Sequence, residues 1–287
     1  MSEDENQPNS DNKSSVTSVV VGELIEVAKN EPKIKEAGSN VAESLAILSG
    51  VIKNVLLPLA ALNFGVEKAR TYFTTRFVDD LSDKVKDIPQ SEIVEPKASI
   101  VGPVLQGLAF SFEEAELREM YLSLLARSMD GRTASRTHPS FVDIIRQLTA
   151  EEAALIKIIL GNEQTSIIEL RRQTASEGYR VKARHVINLI DPVSGVRYEN
   201  EMLPAFIENW IRLGLVDVDY NSYLMNEQKY YSWIPTHPKY LEVKAAVDLE
   251  VDKTLSVDVV NGIMTRTYFG STFCEIIGIE DIPDLDD

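Results

Sequence analysis

Cysteine is almost absent from this chain of 287 residues: Cys274 stands alone. One thiol can form neither an intramolecular disulfide nor a multi-cysteine zinc site, so no such staple holds the fold. Net positive charge is missing too. The formal charge is −16, with 16 basic and 22 acidic residues in 1–148 and 13 basic and 23 acidic in 149–287. A phosphate backbone is bound mainly by Lys and Arg that displace counterions, so neither half has the footprint of a non-specific duplex binder, and only a local basic stripe would reverse that. Residues 1–18 lack the basic and apolar blocks of a signal peptide, which makes the cytoplasm the expected location.

Several catalytic signatures are also missing. The chain has no Gly-rich phosphate loop ending in Lys-Ser or Lys-Thr, no two-His helix motif and no Gly-x-Ser-x-Gly turn. Nucleotide hydrolysis, zinc proteolysis and esterase chemistry lose their main support. Cys274 lies among Phe273, Ile276 and Ile277, an apolar setting that disfavours the thiolate, and it reads as a core residue. No metal site and no cofactor are expected.

What is present begins with a polar tail, residues 1–18, too poor in apolar side chains to offset the entropy of ordering. From Val41 the pattern changes. Val41, Leu45, Leu48, Ile52, Val55, Leu59, Leu62, Val66, Ala69 and Phe73 alternate steps of four and three, the spacing of a helical seam. From Val41 to Val66 only Glu43 and Lys53 are charged, so the helix is apolar on several sides. Pro58, with Gly50 and Gly65, predicts a kink, and such an interrupted span is not a constitutive transmembrane helix. It reads as a bundle helix, or as a surface (Leu48, Ile52, Val55, Leu56, Leu59, Leu62) for a membrane or partner after a trigger.

The charged stretch from Asp79 to Ser91 leads into Pro89, Pro96 and Pro103, which predict an extended connector. Three capping-box patterns follow: Ser111-x-x-Glu114 opening a helix to Met129 ahead of Gly131, Thr149-x-x-Glu152, and Ser166-x-x-Glu169 opening a helix that stops near Gly178. His138-Pro139 predicts a further helix start, and Leu203 to Leu213 has helical spacing closed by Gly214. Leu215–Tyr220, Tyr230–Ile234 and Ile263–Phe269 are β-prone, and a last helix runs from Gly270 to Ile277. The expected fold is mainly α: a helical amino-terminal part with a long apolar helix, plus a carboxy-terminal winged-helix-like α+β part. The expected division is 1–18, polar tail; 19–148, helical domain; 149–279, winged-helix-like domain; and 280–287, acidic tail.

One enzymatic pattern survives. Arg180 and His185, four residues between them, have the spacing of HEPN-type toxin ribonucleases, in which the two side chains converge on a scissile phosphate; Arg132 and His138 fit more loosely. His138 and His237, each followed by proline, read as helix-start and turn residues. Glu113, Glu114, Glu116 and Glu119 crowd a helix start, where carboxylates complement the dipole rather than bind metal. Tyr220, Tyr223, Tyr230, Tyr231 and Trp233 could stack bases, but their acidic flanks repel phosphate, and packing against a sheet is the simpler role.

From about Asn40 to Gly278 the chain resembles the abortive-infection alpha family of bacterial phage-defence proteins. The resemblance rests on the apolar helix with Pro58 and Gly65 followed by Glu67 and Lys68, on the Ile93–Phe141 block, and on Tyr268-Phe-Gly-x-x-Phe273-Cys274. In the middle block Glu95, Pro96, Gly102, Pro103, Glu116, Leu117, His138, Pro139 and Phe141 are the matching positions. The resemblance implies a role in which infected cells stop growing or die before phage matures, and it brings no catalytic assignment. The leading expectation is a non-enzymatic defence factor that works through protein contacts, the partner including one of phage origin, with membrane insertion of the apolar helix on activation and self-association left open. The alternatives are a metal-independent ribonuclease using Arg180 and His185, and a winged-helix transcriptional regulator; nucleic acid is otherwise not an expected partner.

Overall fold

The computed structural model describes residues 43–44, 47–48, 65–174, 178–191, 194–252 and 254–282. The chain divides into two compact units, Met1–Leu155 with Glu275–Gly278 and Ile156–Cys274 with Ile279–Asp287. Most of the apolar helix, including Ile52, Val55, Leu56, Leu59 and Leu62, lies outside the described residues. Within it Glu43, Ser44, Ile47 and Leu48 are helical, and Ser44 and Leu48 are buried. Among the described residues no helix is long and apolar enough to cross a membrane.

The first unit is built from α1 (Gly65–Thr75), α2 (Phe77–Val85), α3 (Ala98–Ser111), α4 (Ala115–Met129) and α5 (Pro139–Arg146). Its core is aromatic and aliphatic: Phe73, Phe77, Leu81, Ile100, Leu105, Leu108, Tyr121 and Phe141 are all buried. Each such side chain contributes about 1.5–3 kcal/mol relative to exposure, so this cluster outweighs any surface pair. Gly107 of α3 lets α4 approach: a Cβ there would stand 2.3 Å from Cζ of the buried Tyr121 ring. Tyr72 stacks on Phe112 at 5.0 Å and donates to Asp80 Oδ2 at 3.1 Å.

Three expectations for this unit change. Phe77–Val85 is helical, its Phe77, Val78, Leu81 and Val85 buried, so the charged residues from Asp79 to Lys84 belong to α2 rather than to a connector. Pro103 lies inside α3, where it removes one backbone donor without ending the helix. Ser111 closes α3 instead of capping α4, whose N-cap, Glu114, makes no side-chain cap bond. The carboxylates of this region hold neighbouring cations, Glu113 with Lys68 at 2.8 Å and Glu119 with Lys84 at 2.7 Å.

The signature block finds its physical reason at the end of α4. Val94 N donates to Met129 O at 2.9 Å, Gly131 N donates to Glu92 O at 2.7 Å, and Ile93 bridges Asp130. Buried Asp130 is gripped by Arg132 through Nε at 2.8 Å and Nη2 at 2.6 Å, and these hydrogen bonds hold its carboxyl below the usual range. His138 caps α5: its Nδ1 accepts from Ser140 N at 3.1 Å. Pro96, Leu117 and Phe141 are buried, Glu95, His138 and Pro139 are exposed, and Gly102, Pro103 and Glu116 are half-buried. These positions shape a scaffold.

Helix α6 (Ala150–Ile159) opens with the expected capping box, Thr149 N donating to Glu152 Oε2 at 2.9 Å and Glu152 N to Thr149 Oγ1 at 3.1 Å. The second unit then forms a four-stranded antiparallel sheet in the order β2-β1-β4-β3, from β1 (Gln164–Gln173), β2 (Tyr179–Val186), β3 (Val216–Asp219) and β4 (Ser256–Arg266). Its helices are α7 (Leu203–Arg212), α8 (Glu227–Tyr230), α9 (Pro238–Asp248) and α10 (Tyr268–Ile277), the last crossing the division between the units. Gly214, with φ +74°, follows α7 where a left-handed residue is needed.

The third capping-box pattern proves false. Ser166 and Glu169 lie in β1, which pairs with β4 from Gln164 opposite Thr265 to Gln173 opposite Ser256. Ile167 and Ile168 are stiff at χ1 and suit a pleat, and both are buried. The helix that the winged-helix order calls for at this point is therefore a strand. Tyr230–Ile234 is not a strand either: Asn226 Oδ1 accepts from Lys229 N at 3.0 Å and starts α8, and a 3-10 turn follows at Ile234–Thr236. Tyr231 and Ile234 join Ile168, Leu170, Val186, Val243 and Val247 in one buried cluster. The aromatic residues there pack the sheet, as Tyr231 Oη donating to Gly262 O at 2.7 Å shows.

Candidate functional site

The edge strand β2 is irregular. Between the pairs Ile168–Val186 and Leu170–Ala183, two steps on β1 match three on β2, and from Leu170–Ala183 to Arg171–Val181 one step matches two. Each surplus residue makes a bulge, and bulges re-aim side chains. His185 sits in this stretch with φ 56°, the one non-glycine residue with positive φ among the described residues. A left-handed residue with a Cβ costs about 1–2 kcal/mol, so its surroundings must hold it there.

Tyr220 supplies that hold. The His185 amide donates to Tyr220 Oη at 3.0 Å, and the same hydroxyl lies 3.1 Å from His185 Nδ1. Assigning the ring proton to Nε2 lets the hydroxyl that accepts from the amide also donate to Nδ1. Burial pushes the His185 pKa below its ordinary value, with nearby Glu208 opposing and Arg184 reinforcing the shift. The ring is neutral at physiological pH. Burial likewise raises the Tyr220 hydroxyl to about 12, so it remains a donor.

Next to this pair is a buried carboxylate. Glu169 accepts from Arg171 Nε and Arg184 Nε, each at 2.6 Å. Burial opposes its ionisation, and the two guanidinium hydrogen bonds outweigh that, leaving the pKa below the ordinary carboxylate value. Arg171 also lies over the Tyr179 ring at 4.0 Å. The charge of Arg171 and Arg184 is thus spent on Glu169, whereas Arg180 and Lys182 of β2 are exposed and have no ion-pair partner among the described residues.

His185 stands in the wall of a cleft of about 760 Å³. Its lining comes from Lys182 to Ile187, from Tyr198 to Glu201, and from the starts of α7 and α9 with Leu203, Pro204, His237 and Pro238. His237 caps α9, its Nδ1 accepting from Lys239 N at 3.2 Å, and burial lowers its pKa as well. Polar and apolar groups share the lining about equally, which suits a ligand held by both hydrogen bonds and burial.

Arg180 is exposed near the start of β2, and His185 is buried near its end with its ring facing the Tyr220 hydroxyl. Arg132 is bound to Asp130 and His138 caps a helix. Cys274 is buried, and burial pushes its thiol up to about 11, as expected of a core residue. Among the described residues no group of His, Cys, Asp and Glu has metal-binding geometry. The strained turn at His185 and its Tyr220 tether escaped the sequence reading, because a left-handed histidine has no sequence mark and Tyr220 is distant in the chain.

Fold and site together define a mixed helical and antiparallel-sheet protein with a polar cleft on one sheet edge. A family model described as Abortive infection alpha matches residues 69–277, well over half of the chain. The chain belongs to the abortive infection alpha family. The match begins at Ala69 instead of Asn40, so Pro58, Gly65, Glu67 and Lys68 fall outside it. No curated protein and no solved structure matches the chain.

Proposed function

We propose that this protein serves in abortive infection by holding a protein partner in the cleft beside His185, and that its effect comes from binding and not from turnover. One observation carries the reading: the residue with strained backbone lies in the cleft wall, fixed by a tyrosine from a distant part of the sheet. Strain that the surroundings must sustain is retained where it positions something useful. A neutral imidazole with its proton on Nε2 offers the cleft a hydrogen-bond donor, and free Lys182 offers a cation. Both are means of recognition.

The test compares phage plating on cells that make the wild type, His185→Asn or Lys182→Glu. Asparagine tolerates left-handed backbone and its side-chain amide still offers a hydrogen-bond donor, but it cannot exchange protons as imidazole does. His185→Asn is expected to keep protection, while Lys182→Glu, at an exposed position with no ion pair to break, loses it. Loss of protection in His185→Asn with full protection in Lys182→Glu, both folded, would overturn the reading in favour of chemistry at the histidine.

A further inference from the structure

The cleft is shaped as a fork between two chain segments. At its closed end Ile190 bridges Arg197, and Tyr198 N donates to Leu189 O at 2.8 Å. Beyond that point the segments part, Lys182–Ile187 to one side and Tyr198–Glu201 to the other. β2 is the outermost strand; the His185 amide is taken by Tyr220, so the edge offered for pairing is the stretch Tyr179–Ala183 that leads into the cleft. Five residues of such an edge span about 15 Å, and a further strand would lie about 4.8 Å away.

Bulges and basic side chains on an edge discourage indiscriminate strand pairing. They also define what can pair. Lys182 lines the cleft, and Arg180, two residues earlier on β2, is exposed; neither has an ion-pair partner among the described residues. Exposed Glu199 and Glu201 line the cleft from the facing segment, and buried Val186, Ile187 and Leu203 line it as well. The lining is therefore basic at Lys182 on β2 and acidic at Glu199 and Glu201 on the facing segment, with apolar residues among them. Lys239, already bonded to Glu242 at 2.9 Å, does not alter that polarity.

The geometry points to one occupant: an extended segment of a partner protein that adds as a strand along β2, with acidic side chains two apart beside Arg180 and Lys182 and an apolar side chain over Val186 and Leu203. Main-chain hydrogen bonds supply affinity in this mode, and side chains at alternate positions supply choice. The charge gradient sets the direction of the incoming strand. This inference rests on the cleft being the recognition site and adds the chemistry of what it recognises.

The experiment selects a displayed library of short random linear peptides on the immobilised full chain and measures enriched peptides by fluorescence anisotropy. Enriched peptides should carry acidic residues two apart at one end, and Lys182→Glu should weaken them about tenfold or more, equivalent to one lost charge-assisted contact. N-methylation of alternate peptide amides should abolish binding, while methylation of the intervening amides should be tolerated. Peptides that bind Lys182→Glu equally well, or that tolerate methylation at every amide, overturn the strand mode. Absence of enrichment, with phage protection still lost in Lys182→Glu, overturns the strand mode but leaves the cleft as recognition site. Enriched acidic peptides together with undiminished protection in Lys182→Glu uphold the peptide site and overturn its role in defence.

Discussion

Gly262 of β4 faces the ring of Tyr220 so closely that an added Cβ would stand 2.6 Å from Tyr220 Cδ1 and 2.8 Å from Asp219 O. The absence of that one carbon lets Tyr220 cross β4 toward His185. Gly262→Ala is expected to displace the tyrosine and cost about 1–3 kcal/mol through overpacking. Denaturant unfolding would show it, and the His185 amide would lose protection from hydrogen exchange. A variant as stable as wild type with that amide still protected would separate the glycine from the tether.

Backbone strain at His185 gives a second prediction. Glycine adopts left-handed backbone freely and alanine does not, while both keep the amide that donates to Tyr220 and both lack the ring nitrogen that faces it. His185→Gly should therefore be more stable than His185→Ala by about 1 kcal/mol, a difference read from urea midpoints at equal m-values. Equal midpoints would mean that the conformation at residue 185 is not strained.

The lowered pKa of His185 fixes the sign of a pH effect. Between its folded pKa and the ordinary value of 6.5 the unfolded chain binds more protons. The associated stability is complete above 6.5 and is lost as pH falls through the folded pKa. Tyr220→Phe removes the hydroxyl that donates to Nδ1 and so favours the neutral ring less. The His185 titration, followed by imidazole nuclear magnetic resonance, should move up toward 6.5 in that variant; an unchanged or lower midpoint would contradict the assigned bond direction.

Glu169 has the opposite chemistry and the same sense. Its folded pKa is depressed, so its contribution is present above the ordinary value of 4.5 and is lost as pH falls through the folded pKa. Glu169→Gln should cost about 2 kcal/mol near neutrality, the scale of a charged hydrogen-bond partner removed from a buried site, moderated because Arg184 is half exposed. The loss should shrink as pH falls below 4.5. A pH-independent cost would show that side-chain shape matters there more than charge.

How much of this was legible in the sequence depends on the range of the interactions. Thr149 with Glu152, His138 with Pro139, and Gly214 after Leu213 are local devices, and each does at its place what its chemistry predicts. Ser166-x-x-Glu169 has the same spacing and misleads, because Glu169 is engaged by Arg184 on the next strand and β4 pairs along the whole segment. Pro103 misleads for a different reason: a helix already in progress tolerates one missing donor. The cleft was not legible because its parts, Lys182, Tyr198 and Pro238, are brought together only by the sheet and its two flanking helices.

The central claim, that the cleft beside His185 is where the protein meets its partner, is tested most directly by mapping phage plating over two sets of exposed substitutions. One set lies in the cleft: Lys182→Glu, Glu199→Lys and Glu201→Lys. The other lies in the first unit: Phe110→Ser, Arg146→Glu and Glu151→Lys. With expression and folding equal, the cleft set should lose protection by about tenfold or more and the other set should retain it. Full protection from every cleft variant, or loss confined to the first unit, would contradict the account.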